Sequence, residues 1–149
     1  MNRIPSSALI LGLAGLIPFL WGTATAFNPT LAELGQSWFG PRFISPHIQL
    51  FYGTIILSFM SGVLWGFATR ATGSVATTGY ALSVLPALWA FFFVGGGPTS
   101  AATYLITGYL GLLALDYMFW KQELSPPWWM QLRILLTVVV IACLAVVAF

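Results

Sequence analysis

The sequence predicts an all-α protein built as an integral membrane bundle of five transmembrane helices. Of its 149 residues, 59% are hydrophobic and only 5% are charged, whereas a soluble domain carries about 25% charged residues. Five apolar runs are long enough for a hydrocarbon core that takes about 20 helical residues to cross. The length fits one domain. We predict a single transmembrane domain over residues 1–149, with spans at about 6–27, 48–70, 78–94, 99–120 and 128–149.

The small number of charged side chains argues against several classes of function. Five Lys and Arg against three Asp and Glu give a net charge of +2, too little for binding nucleic acid. One Cys and one His provide neither a disulfide framework nor a thiol metal site. No carboxylate pair, Ser-His-Asp set or cluster of metal ligands can be assembled. We therefore expect no catalytic residues, no metal and no cofactor, and hence no enzyme.

The first span, residues 6–27, follows Arg3 and contains a proline near its middle. Pro18 predicts a kink, because it cannot donate a hydrogen bond to the carbonyl of Ala14. An alternative interpretation of this segment is a cleavable signal peptide, since residues 24–26 read Ala-Thr-Ala after an apolar stretch.

Residues 28–46 form the one sizeable loop, and they predict a short interfacial helix between helices one and two. Proline and glycine interrupt this loop, while scattered apolar side chains keep it amphipathic. Trp38 is expected at the level of the lipid headgroups. His47, which opens the next helix, is typical of an interfacial hydrogen-bonding residue rather than a ligand.

Residues 51–70 are predicted to be the central helix of the bundle. Ser58, Gly62 and Gly66 recur every four positions, which places them on one helix face that another backbone can approach closely. We interpret this face as a helix-packing seam. Two uses remain open: packing inside the bundle, or binding of a separate membrane protein.

The remaining helices are separated by short turns. A polar link is expected over residues 71–77, and Pro86 predicts a second kink within the third span. Residues 95–98, Gly-Gly-Gly-Pro, form a tight turn and lack the Lys-Ser/Thr that follows a phosphate-binding loop. Trp128 and Trp129 are typical of an aromatic anchor at the start of the last span.

Two ionisable side chains, Asp116 and Arg133, are expected within the membrane. Each lies about one turn inside its helix, on either side of a short hairpin. Charged groups at this depth are tolerated mainly when they pair, so we predict a structural ion pair. Arg70 is an alternative partner for Asp116, and a proton or substrate site is the alternative role.

Trp65 and Trp89 are candidate ligand-facing aromatic residues, because both fall inside predicted spans. Packing in the core or against lipid explains them as well.

The basic residues predict the orientation. With five crossings, Arg3, Arg70, Lys121 and Arg133 lie on one side and Arg42 on the other. Because basic residues concentrate on the cytoplasmic side, the N-terminus is predicted to be cytoplasmic and the C-terminus external.

Several stretches together resemble a known family. They read NRIPSSALILGLAGLIPFLWG, YGTIILSFMSGVLWGFA, ALSVLPALWAF, LLALDY and PPWWMQLRILLTVVV. They are similar to the domain-of-unknown-function family 3429, membrane proteins that resemble transmembrane protein 69. The resemblance implies a bacterial inner (plasma) membrane protein with mitochondrial relatives, and it implies no activity. Leu64 departs from the pattern, since many members carry Arg or His before the Trp-Gly of helix two.

Two functional hypotheses follow. The first is a non-catalytic accessory or assembly component of a larger membrane complex, with another membrane protein or a second copy of the chain as its partner. The alternative is a binder or carrier of an apolar small molecule, either a quinone, a tetrapyrrole or a lipid. A cavity lined by Trp65, Trp89 and Asp116 would favour the binder. A filled core with an outward-facing seam would favour the accessory component.

Overall fold

The computed structural model describes residues 3–149, so the first two residues of the predicted domain lie outside the described part. This part of the chain is mostly helical and contains no strand. Its α-helices are α1 Ser6–Ala14, α2 Ile17–Phe27, α3 Pro29–Phe39, α4 His47–Ala68, α5 Gly73–Ser83, α6 Leu85–Phe93, α7 Pro98–Lys121 and α8 Trp129–Ala148, with a 3-10 turn at Pro41–Phe43.

Within the described residues, these helices give five segments that are long and apolar enough to cross a membrane, which confirms the predicted fold class. The segments are Ser6–Phe27, His47–Ala68, Gly73–Phe93, Pro98–Lys121 and Trp129–Ala148. The start of the third segment was wrongly placed, because most of the supposed polar link 71–77 is helical. Thr77 satisfies its hydroxyl by donating to the carbonyl of Gly73 at 3.3 Å, so this polar residue is tolerated within the helix.

The short helix expected between the first two spans is α3. Asn28 caps it, accepting hydrogen bonds from the backbone N–H groups of Thr30 at 3.0 Å and Leu31 at 3.2 Å. Pro29 occupies the first helical position, where no N–H is required. Trp38 is 67% exposed, and its position at the level of the lipid headgroups stays a prediction.

Pro18 interrupts the first span at Gly15 and Leu16, between α1 and α2. A proline inside a membrane helix leaves backbone carbonyls without their usual donors, and neighbouring helices must supply replacements. Here the hydroxyl of Tyr52, on α4, donates to the carbonyl of Gly15 at 2.9 Å.

Pro86 interrupts the third span at Val84, between α5 and α6. The hydroxyl of Ser61, again on α4, bridges this break. It donates to the carbonyl of Ser83 and accepts from the backbone N–H of Ala87 at 3.2 Å. At both proline breaks, a side chain of α4 therefore hydrogen-bonds to the backbone of the interrupted span.

Helix α4 lies at the centre of the bundle, in contact with α2, α5, α6, α7 and α8. Its inward face carries small and large residues at helical spacing: Gly53, Leu57, Ser61, Leu64 and Ala68 are all buried. Opposite Leu57, α7 presents Gly108, where an added Cβ would lie 2.8 Å from Leu57 Cδ2. This glycine is what allows α7 to approach α4 so closely.

Candidate functional site

The structure brings Asp116 of α7 and Arg133 of α8 together inside the bundle. Arg133 Nε donates to Asp116 Oδ2 at 2.9 Å, and both side chains are almost completely buried. The two helices are joined by a short turn, which places these residues at the same depth. Arg133 was predicted as the partner of Asp116 from its depth and from the short hairpin, and the structure shows this pair.

A third residue, Trp129, also binds Asp116. We call Asp116, Arg133 and Trp129 the charge cluster. Its indole N–H donates to the other carboxylate oxygen, Asp116 Oδ1, at 2.9 Å. Trp129 was predicted to be part of an interface anchor, and its contact with Asp116 was not predicted. The available signal was its spacing, because residues four apart on a helix share a face and Trp129 precedes Arg133 by four.

Arg70, the alternative partner considered for Asp116, does not contact it. Its Nη1 instead donates to the backbone carbonyl of Leu124 at 2.9 Å, in the turn that joins α7 to α8. Arg70 therefore ties the end of α4 to that turn.

Beside the charge pair lies a cleft of about 160 Å³, lined by residues of the first span, α4, α7 and α8. Arg133 and Thr137 line this cleft together with apolar side chains. Arg133 Nη2 and Thr137 Oγ1 are buried and have no hydrogen-bond partner among the described residues.

The predicted seam of Ser58, Gly62 and Gly66 faces outward. All three residues are exposed, and no atom lies within 4 Å of the position that a Cβ would take at Gly62 or Gly66. The interpretation that this face packs inside the bundle is therefore wrong for the described chain. The inward face of α4 lies on the other side of the helix.

The close helix contacts occur at other glycines. An added Cβ at Gly22 would lie 2.6 Å from Gln49 Cδ, and one at Gly79 would lie 3.0 Å from the Cβ of Ala68. Both contacts join α4 to a neighbouring helix.

Trp65 and Trp89 occupy different surfaces. Trp65 is 47% exposed and packs against the ring of Tyr80, with centroids 4.6 Å apart. Trp89 is half-buried between α6 and α7, where its indole N–H donates to the carbonyl of Tyr104 at 2.7 Å. The groove that Trp89 lines includes neither Trp65 nor Asp116.

No group of three or more His, Cys, Asp and Glu side chains in residues 3–149 is placed to hold a metal ion. Other polar groups are also buried among these residues: the Ser61 hydroxyl is hydrogen-bonded, whereas the Gln49 amide, like Arg133 Nη2 and Thr137 Oγ1, has no hydrogen-bond partner there.

Comparison with known proteins agrees with this architecture. The family described as "Protein of unknown function (DUF3429)" matches residues 4–149. "Transmembrane protein 69" of Xenopus tropicalis is 36% identical over 145 residues, covering 95% of this chain and 53% of the relative. "Transmembrane protein 69" of Mus musculus is 34% identical over 140 residues, covering 91% and 52% respectively. The chain spans about half the length of these relatives, and no solved structure matches it. The chain therefore belongs to the DUF3429 family of membrane proteins.

Proposed function

We propose that this protein is a non-catalytic accessory or assembly component of a larger inner-membrane complex. Its partner would be a transmembrane helix of a different membrane protein, bound along the seam of Ser58, Gly62 and Gly66. The observation that supports this proposal is the direction of the seam. It faces outward at the middle of α4, while the opposite face of the same helix is filled by core packing.

Glycines on a lipid-facing surface lower the stability of the helix, and contact with lipid does not compensate for that loss. Glycine lowers helix stability by about 1 kcal/mol relative to alanine, and lipid tails contact a leucine as readily as a glycine. Close approach of a second helix gives such residues a purpose, because van der Waals packing between backbones drives association in membranes.

The seam also borders a shallow groove of about 270 Å³ between α4 and the break in the third span. Mostly small side chains line it, among them Ser61, Ser83 and Ala87, with Trp65 at its edge. A helix seated against Gly62 would extend into this groove and contact the indole.

The orientation and compartment belong to the same proposal. The basic residues at the ends of the spans support a cytoplasmic N-terminus and an external C-terminus, in the inner (plasma) membrane of a bacterium. Arg133 is bound to Asp116 within the bundle. The proposed orientation therefore rests on Arg3, Arg70 and Lys121.

The alternative function is a binder or carrier of an apolar small molecule, which a cavity lined by Trp65, Trp89 and Asp116 would favour; the described residues form no such shared cavity. Trp65 and Trp89 lie in separate grooves, and Asp116 is fully buried against Arg133 and Trp129.

Gly62→Leu tests the accessory function. The leucine has open space around it and favours the helix, so the chain should accumulate and unfold as the wild type does. Partner proteins that co-purify in mild detergent, identified by mass spectrometry, should be lost. Gly111→Leu is the matched control, because Gly111 is also an exposed helical glycine with open space but lies on α7.

Equal co-purification with the wild type and with Gly62→Leu would contradict the proposal. A loss of self-association alone, with no foreign protein lost, would instead assign the seam to a homo-oligomer.

A further inference from the structure

Two residues that line the cleft beside the charge cluster carry polar atoms that the cluster leaves unused. Arg133 Nη2 and Thr137 Oγ1 are buried without a hydrogen-bond partner, and both residues line the cleft. Thr137 is unlike other membrane threonines of this chain. Thr54, Thr103 and Thr107 each donate to the carbonyl four residues earlier. Buried polar groups normally have partners, so two unpartnered groups one turn apart on α8 point to a ligand.

The size of the cleft limits that ligand. At about 160 Å³ it is smaller than the roughly 300–1,000 Å³ of a drug-sized site, while an apolar cavity of about 150 Å³ holds benzene. A benzene-sized ring fits, and a tetrapyrrole does not. Leu11 and Phe59 line the cleft and are largely exposed, so a tail attached to the ring would extend into the bilayer.

Charge limits the ligand further. Asp116 already neutralises Arg133, so a carboxylate in the cleft would be an uncompensated charge at low dielectric. Arg133 Nη2 is a donor only, and the Thr137 hydroxyl can donate as well. The complementary group is therefore a neutral acceptor such as a carbonyl oxygen.

We infer that the cleft binds the head of a membrane-soluble quinone-type molecule: a benzene-sized ring whose neutral carbonyl accepts hydrogen bonds from Arg133 and Thr137. Thr137 lies eight residues after Trp129, about 12 Å along the helix. A ring that dissolves in the membrane reaches this depth more readily than the ester carbonyls at the lipid interface. This inference is independent of the proposed accessory function.

The test measures retention, on the protein in nanodiscs, of a tritiated benzoquinone that carries a single short alkyl chain, compared with empty nanodiscs. Thr137→Val keeps the side-chain shape and removes an unpartnered hydroxyl, so it should fold normally and bind roughly 2- to 10-fold more weakly. Thr103→Val, on an exposed face of α7, should bind as the wild type does. Leu11→Trp should block the mouth, while Leu13→Trp, outside the cleft lining, should not.

The carbonyl in the cleft could belong to a quinone-type molecule or to a lipid ester. Nanodiscs of ester lipids and of ether lipids, which lack ester carbonyls, distinguish these two sources. Equal retention in both supports the quinone-type ligand. Retention only in ether-lipid nanodiscs would mean that a lipid ester occupies the cleft, and this would overturn the inference. Equal binding by Thr137→Val and the wild type, or no retention above empty nanodiscs, would also overturn it.

Discussion

At Asp116, both carboxylate oxygens accept a hydrogen bond, one from Arg133 and one from Trp129. In a bilayer core no water replaces a lost partner, so each contact of a buried charge matters more than at a protein surface. Removing one member of a buried pair leaves the other charge uncompensated.

Asp116→Asn should therefore destabilise the protein by about 3–5 kcal/mol, because it leaves the Arg133 guanidinium without a counter-charge. Arg133→Gln added to it should recover part of that loss. The free energy of unfolding is measured in detergent by labelling Cys143 with a thiol-reactive fluorophore. Cys143 is buried and is the one cysteine of the sequence, so it reacts on unfolding. Additive losses in this double-mutant cycle would argue against a direct interaction.

Much of this cluster could be predicted from the sequence, because counting residues from the hairpin gives Asp116 and Arg133 the same depth. Trp129 could not be assigned in the same way, since a tryptophan near a span end is equally typical of an interface belt. Whether atoms of Arg133 and Thr137 find hydrogen-bond partners depends on side-chain rotamers, which cannot be read from the sequence pattern.

At the scale of elements, α4 organises the bundle through hydrogen bonds as well as through packing. Tyr52 and Ser61 each supply a hydroxyl to a helix interrupted by proline. These two donors hold both interrupted spans against one uninterrupted helix.

Ser61→Ala should destabilise the protein by about 1–3 kcal/mol, because the carbonyl of Ser83 and the N–H of Ala87 both lose their partner in a buried site. Ser58→Ala is the matched control on the same helix, since Ser58 is exposed and its hydroxyl donates only to the carbonyl of Thr54. Its effect should stay within about 0.5 kcal/mol. The stabilities of the Ser61→Ala and Ser58→Ala variants are compared by thermal unfolding, with Cys143 labelling as the readout. Equal stability of both variants would show that the bridge contributes nothing.

The prolines predicted both breaks, but nothing in the sequence predicted which face of α4 is inward. In a membrane both faces of a helix are apolar, so hydrophobicity does not separate core from lipid. Small residues at regular spacing were the remaining signal, and α4 has them on both sides. The spacing of Ser58, Gly62 and Gly66 left both uses of that face open, whereas the face with Gly53 and Ser61 forms the core.

At the scale of the whole molecule, the number of spans could be predicted and their arrangement only partly. Short turns make α4 and α5, and α7 and α8, neighbours. The contact between α2 and α8 joins the first and last spans, and no loop length indicates it. The contact between α2 and α8 depends on how the helices pack around α4.

The proposed orientation predicts the labelling of two single-cysteine variants in a Cys143→Ala background. Ser37→Cys lies on the exposed surface of α3, and Gln122→Cys lies in the turn between α7 and α8. A membrane-impermeant maleimide should label Ser37→Cys in intact bacterial cells and Gln122→Cys only in inside-out vesicles. The reverse pattern would invert the topology.

The two proline breaks differ in the order in which their partners are synthesised. Ser61 precedes Ser83 along the chain, so the third span emerges when its hydroxyl donor already exists. Tyr52 follows Gly15 by 37 residues, which at roughly 5–20 residues per second is a delay of roughly 2–7 s. During ribosomal synthesis the first transmembrane segment is therefore complete before the side chain that donates to its Gly15 carbonyl in the folded protein has been made.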